Sequence, residues 1–254
     1  DSSTGYVWQV PLSQKNGKLK VKKKKKLFYV YEWREFLYAT DKKVVYRINN
    51  SIVSYNKKTK QKKSLTGKPV YYSSINVAKD ASGLTAKIGN CIYYSRFKSC
   101  YKKIDEAFYQ LNLSTGKRKK IVNKASQYES KRYRYDDHEK LDTQVGVSGK
   151  KLYVPTEKWI VCYDTAKKKK TNLISMDVLT QCVKEKFSTD AFHSMHIDKF
   201  YFIGNTMYLQ LAVDYQYKIG AYQEISYDRN YVVVSLNKKT GKSITYEEEL
   251  SSFL

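Results

Sequence analysis

Arginine is scarce in a chain otherwise crowded with positive charge. Of 48 basic residues only seven are arginines (Arg34, Arg47, Arg96, Arg118, Arg132, Arg134 and Arg229), so lysine carries most of a net charge of +24. Reading bases and gripping phosphates favours the planar guanidinium fork, and its shortage argues against sequence-specific recognition of nucleic acid. Long apolar runs are missing as well. No window approaches the roughly 18 residues of a transmembrane helix, and no basic stretch followed by an apolar run opens the chain as a signal peptide would. The start, Asp1-Ser-Ser-Thr-Gly without Met, points to removal of an upstream segment and so to export.

Reactive groups are equally sparse. Four cysteines, Cys91, Cys100, Cys162 and Cys182, match no C-x-x-C pattern; two disulfides or four structural thiols fit the count equally. Only three histidines occur, His138, His193 and His196. They could reach one face, but adjacent residues of an extended loop point in different directions and zinc needs three or four converging ligands, so no metal and no cofactor is expected. There is no Gly-rich phosphate loop, no Gly-x-Ser-x-Gly elbow and no His-Glu-x-x-His helix.

What is present is a repeat. Four segments align without gaps: Val53-Ser-Tyr-Asn56-Lys-Lys-Thr59, Tyr109-Gln-Leu-Asn112-Leu-Ser-Thr115, Val161-Cys-Tyr-Asp164-Thr-Ala-Lys167 and Val234-Ser-Leu-Asn237-Lys-Lys-Thr240. A looser fifth copy is Trp8-Gln-Val-Pro11-Leu-Ser-Gln14. The residues before each Asn or Asp alternate as in a half-buried strand, and the Asx side chain can bond its own backbone to start a turn. Gly17, Gly116 and Gly241 then offer the positive φ that reverses the chain. A second hairpin motif precedes the first in each unit: Gly89-Asn-Cys-Ile-Tyr93, Gly149-Lys-Lys-Leu-Tyr153, Gly204-Asn-Thr-Met-Tyr208 and the degenerate Asp41-Lys-Lys-Val-Val45.

Each unit therefore has four strands, a to d, with tight a–b and c–d hairpins and variable b–c and d–a links. From the last residue of the second motif to the Asn or Asp that ends strand c the distances are 11, 19, 11 and 29 residues, so two units carry b–c insertions. Four-stranded units of about 40 to 50 residues are the signature of propeller blades. The expected fold is all-β, a single β-propeller domain over residues 1–254 with a half-blade at 6–27 and blades at 36–65, 84–121, 143–173 and 199–246. Five blades is the expected count, six or seven if strands are missing.

Units resembling Gly-Asn-x-Ile-Tyr-Tyr and Leu-Asn-x-x-Thr-Gly-Lys also recur in the lipoprotein-receptor-type propeller domain of uncharacterised secreted proteins from Gram-positive gut bacteria, and residues 36–246 resemble that family. The resemblance implies a secreted or cell-surface location. No Trp-Asp or Tyr-Trp-Thr-Asp signature occurs, so no ligand set carries over.

Nearly half of the basic residues fall in c–d turns and d strands, where lysine protects an outer strand edge from aggregation. The same basic rim suits electrostatic association with anionic cell-wall polymers. Recognition of a glycan or a protein is expected on the other loops, chiefly 95–107, 122–142 and 212–230, which carry Tyr128, Arg132, Tyr133, Arg134, Tyr135, Tyr215, Tyr217, Tyr222 and Tyr227. Tyrosine combines a flat apolar body with a hydroxyl and suits such contacts. A catalytic alternative would place Glu35, Asp142 and Asp198 at one mouth of the propeller channel, where carboxylates about 5 to 9 Å apart could hydrolyse glycosides.

Overall fold

The computed structural model describes residues 3–16, 18–48, 51–66, 75–76, 79–83, 85–96, 107–123, 144–186, 192–219 and 224–251. The repeated Asx positions act as the sequence suggests. Asn56 Oδ1 accepts from the Lys58 and Thr59 N–H groups at 2.9 and 3.2 Å. Asn112 does the same for Ser114 and Thr115, Asp164 for Ala166 and Lys167, and Asn237 for Lys239 and Thr240, all within 2.9–3.2 Å. Those backbone donors hold the Asp164 carboxyl below its ordinary value.

Each of these turns ends four residues after the Asx in a left-handed residue: Lys60 (φ 59°), Gly116 (72°), Lys168 (56°) and Gly241 (69°). Glycine was expected at this step, yet two repeats place lysine there. A side chain costs roughly 1–2 kcal/mol in that conformation, little enough for the Asx bonds to hold the turn.

The chain forms two compact units, residues 1–70 with 111–117, and residues 71–110 with 118–254. In the first, a sheet runs in the order Ser3–Gln9, Lys25–Ala39, Lys43–Ile48, Ser51–Asn56, Lys62–Ser64. Alternation drives its core: Phe28, Val30, Val44, Tyr46 and Tyr55 are buried together, with the Phe28 ring 5.1 Å from Tyr46 and 4.2 Å from Tyr55. Burial pushes the Tyr46 phenol up to about 12.

Three further sheets follow. One is ordered Arg118–Asn123, Ala107–Asn112, Cys91–Arg96, Thr85–Ile88, Ile75–Asn76, and the next Lys169–Ser175, Trp159–Asp164, Lys151–Pro155, Val145–Ser148, Asp80–Gly83. The last is ordered Phe192–Ile203, Thr206–Ile219, Glu224–Asn237, Thr245–Tyr246. Two apolar layers fill the second unit. Ala86, Tyr93, Phe108 and Val122 pack with Val145, Leu152 and Val161. Tyr153, Ile160 and Leu173 pack with Phe200, Leu209, Leu211 and Val234. Gly146 is small because Phe200 lies over it: an added Cβ would stand 2.7 Å from that ring.

The chain is thus all-β in class, and each of the four larger sheets sets four strands that are consecutive in sequence side by side, antiparallel wherever their register is described. The lysine-rich strands Lys62–Ser64, Arg118–Asn123 and Lys169–Ser175 are sheet edges whose basic residues face solvent, as edge protection requires.

Three expectations change. Residues 6–27 are not one hairpin: Ser3–Gln9 pairs with the first half of the long strand Lys25–Ala39, in register Val7↔Phe28. Between them Leu12–Lys15 and Lys18–Val21 make a separate two-stranded ribbon. Pro11, which lacks an N–H, stands between strand and ribbon, and Asn16 at φ 51° turns it. Secondly, the link 66–83 is not merely a loop, because Ile75–Asn76 pairs with Thr85–Ala86 and Asp80–Gly83 with Val145–Ser148. Thirdly, the link 174–198 contains the helix Met176–Lys184. Ser175 caps it by accepting from the Asp177 N–H at 3.1 Å, and Met176, Leu179 and Val183 bury its apolar stripe.

Candidate binding surface on the last sheet

Of the recognition segments expected from sequence, 212–230 is the one the structure follows almost throughout. It was read as an inserted loop, and it is instead a continuation of strands. Thr206–Ile219 and Glu224–Asn237 pair over 14 consecutive positions, from Thr206↔Asn237 to Ile219↔Glu224. The equivalent hairpins of the first and third sheets hold six and five pairs. At about 3.4 Å per residue, one hairpin spans roughly 48 Å and the others roughly 17–20 Å.

Alternation along this hairpin separates two faces. One carries Leu209, Leu211, Val213 and Tyr215 into the core. Tyr215, expected among the exposed aromatics, is 9% exposed, and burial pushes its phenol up to about 12. Tyr217 and Tyr227 sit in the paired strands opposite Ser226 and Gln216, and only their backbone positions are described.

The other face, which also carries the buried Ala212 and Val233, holds a polar cross-strand row, Ser194–Asp214–Arg229. Asp214, 8% exposed, accepts from Arg229 Nε at 2.7 Å on one carboxylate oxygen and from Ser194 Oγ at 2.8 Å on the other. Burial acts to raise this carboxyl, but the two hydrogen bonds and the Arg229 charge outweigh it and hold the group below its ordinary value. The next row carries His196 beside Ala212 and Tyr231. Burial and the Arg229 charge lower the imidazole, against the opposing pull of Asp214 and Asp198. Further along, Tyr201 OH bonds the Gln210 side-chain oxygen at 3.1 Å, with Tyr201 47% exposed over a buried Gln210.

Ser194 directs its proton to Asp214, which fixes the serine hydroxyl on the carboxylate. Asp214 is ionised and doubly engaged, which removes it as a general acid. What the face offers is a rigid frame of charge, hydroxyl and aromatic edge.

The other expected residues divide simply. Arg132, Tyr133, Arg134, Tyr135, His138, Asp142 and Tyr222 lie outside the described residues, as does the side chain of Glu35. Asp198 sits in a bulge of the strand Phe192–Ile203 with its carboxylate 3.8 Å from Lys199 Nζ, so of the proposed catalytic trio only this member is placed. Among the described residues no group of three His, Cys, Asp or Glu side chains could hold a metal, and no helix is long and apolar enough to cross a membrane. Cys91, Cys162 and Cys182 are free thiols, and burial raises those of Cys162 and Cys182. The Ser194–Asp214–Arg229 row was missed from sequence because its three members meet only through strand register. An Asp and an Arg facing each other across a long alternating hairpin were its sole signal.

No family model matches the chain, and no curated protein sequence is similar to it. Among solved structures, the crystal structure of the N-terminal domain of Nup159 is similar at a TM-score of 0.36 and 13% identity, over 91% of this chain and 51% of that one. The chain spans about half the length of that domain.

Proposed function

We propose that the four larger sheets are blades of a β-propeller, and that the chain is a non-enzymatic binding module, secreted or held at the surface of a Gram-positive bacterium. On this reading a ring of about five blades presents its b–c and d–a links on one face, and a glycan or a protein docks there. The observation that supports it is the 14-pair hairpin, bridged across its strands by the half-exposed Arg229 on the buried Asp214 carboxylate, in a position where other sheets of the same chain manage with five or six pairs. A fold that tolerates the short version does not require the long one, and rigid, dispensable extensions are where recognition is placed.

The test shortens the tip by replacing 217–226 with Asn-Gly, which spares Tyr215, Asp214 and Arg229. Wild type and variant are then compared on glycan and protein arrays. Loss of binding in a variant with unchanged thermal stability is the expected result. Retained binding that instead disappears when the edge-strand lysines are neutralised would overturn the assignment of the surface.

A further inference from the structure

Six of the large apolar side chains that stand exposed belong to the first 21 residues: Tyr6, Trp8, Val10, Leu12, Leu19 and Val21. Three of them share one face of the ribbon. Leu12 pairs with Val21 and Gln14 with Leu19, so these positions alternate with Ser13, Lys15, Lys18 and Lys20, which fall on the opposite face. Leu12, Leu19 and Val21 are 57%, 66% and 69% exposed, so no apolar layer covers this face among the described residues. A two-stranded ribbon with both faces in water has little stability of its own, and leaving its larger apolar side chains in solvent is a cost without return.

The charge around it is of one sign. Eight lysines lie between residues 15 and 26, and no carboxylate occurs from residue 2 to residue 31. Two of those lysines are gathered over aromatic rings: Lys26 Nζ is 3.1 Å from the centroid of Tyr6, and Lys24 Nζ is 5.1 Å from that of Trp8. Residues 6–26 thus carry aliphatic tips, amphipathic rings and a dense run of lysines.

We infer that this ribbon and its lysine run dock on a lipid bilayer bearing anionic headgroups, with Leu12, Leu19 and Val21 entering the acyl boundary. Each feature has a place there. Aliphatic side chains gain by leaving water, Trp and Tyr rings settle at headgroup depth, and lysines near the surface each strengthen binding to an anionic leaflet by roughly fivefold. A soluble polyanion would make no use of the aliphatic face. A protein interface core is depleted in lysine, whereas here five consecutive lysines, 22–26, follow the ribbon directly.

Co-sedimentation of the intact chain with vesicles tests this. The vesicles are phosphatidylcholine alone or mixed with phosphatidylglycerol, and dextran sulfate serves as a soluble polyanion. Wild type is expected to bind the mixed vesicles, to release in high salt and to ignore phosphatidylcholine. The variant L12S/L19S/V21S changes only exposed side chains and should keep wild-type thermal stability. It is expected to lose at least tenfold in vesicle affinity while binding dextran sulfate as wild type does. Equal vesicle binding by wild type and variant would overturn the proposal in favour of a purely electrostatic patch. Absence of vesicle binding together with a wild-type dimer that the variant abolishes would overturn it in favour of contact between copies of the chain.

Discussion

Gly241 closes the last Asx turn, and replacing it with alanine should damage the protein far more than the same change at Gly89. At Gly241 the backbone is left-handed, φ 69°, and an added Cβ would lie 2.1 Å from the Leu173 carbonyl oxygen and 2.8 Å from its carbon. Those atoms are backbone of the neighbouring sheet and cannot rotate aside. At Gly89 the backbone is left-handed to a similar degree, φ 57°, but nothing lies within 4 Å of the added Cβ. Conformational strain alone therefore accounts for Gly89→Ala, about 1–2 kcal/mol. Gly241→Ala adds the displacement of one sheet against another, and overpacking of that kind costs about 1–3 kcal/mol more. Urea unfolding of the two variants beside wild type measures both, with the difference between them isolating the contact. Equal losses would mean that the turn does not pack against Leu173 and would refute the stacking of the last two sheets.

Three further outcomes are expected. Asp214→Ala leaves the Arg229 and Ser194 donors without their acceptor and should cost about 1–2 kcal/mol in urea unfolding, discounted because Arg229 is 39% exposed. His196 is held below its ordinary 6.5, so the unfolded chain takes up the proton more readily than the folded one. Stability should be full above about pH 6.5 and fall as pH drops below it, and His196→Gln should flatten that slope in urea titrations at neutral pH and at about pH 5.5. Lys168 occupies the left-handed step that Gly116 and Gly241 fill elsewhere, so Lys168→Gly should raise the urea midpoint by the equivalent of up to about 1 kcal/mol.

The repeat was legible because its signals are local. An Asx four residues before a left-handed step, with a strand alternating ahead of it, is decided within one turn, and the structure forms all four of these turns. The helix Met176–Lys184 was also written locally, in Ser175, Asp177 and the spacing of Met176, Leu179 and Val183, but the strand-rich surroundings hid it. Features that depend on partners distant in sequence were not legible. Nothing in Asp80–Gly83 says that it will pair with Val145–Ser148, and the long Lys25–Ala39 strand serves two pairings whose boundary no motif marks. Tyr215 illustrates the same limit for the site. Its residue type suggested a contact surface, whereas its parity along the hairpin places it with Val213 and Leu211 in the core.

The claim that recognition belongs to the long hairpin is tested most directly by hydrogen exchange on the chain bound to whichever glycan or protein an array selects. Protection is predicted in the extended part of the hairpin, 212–219 and 224–231, with the edges Lys62–Ser64, Arg118–Asn123 and Lys169–Ser175 unchanged. Protection confined to those lysine-bearing edges, with the hairpin exchanging as in the free protein, would contradict it.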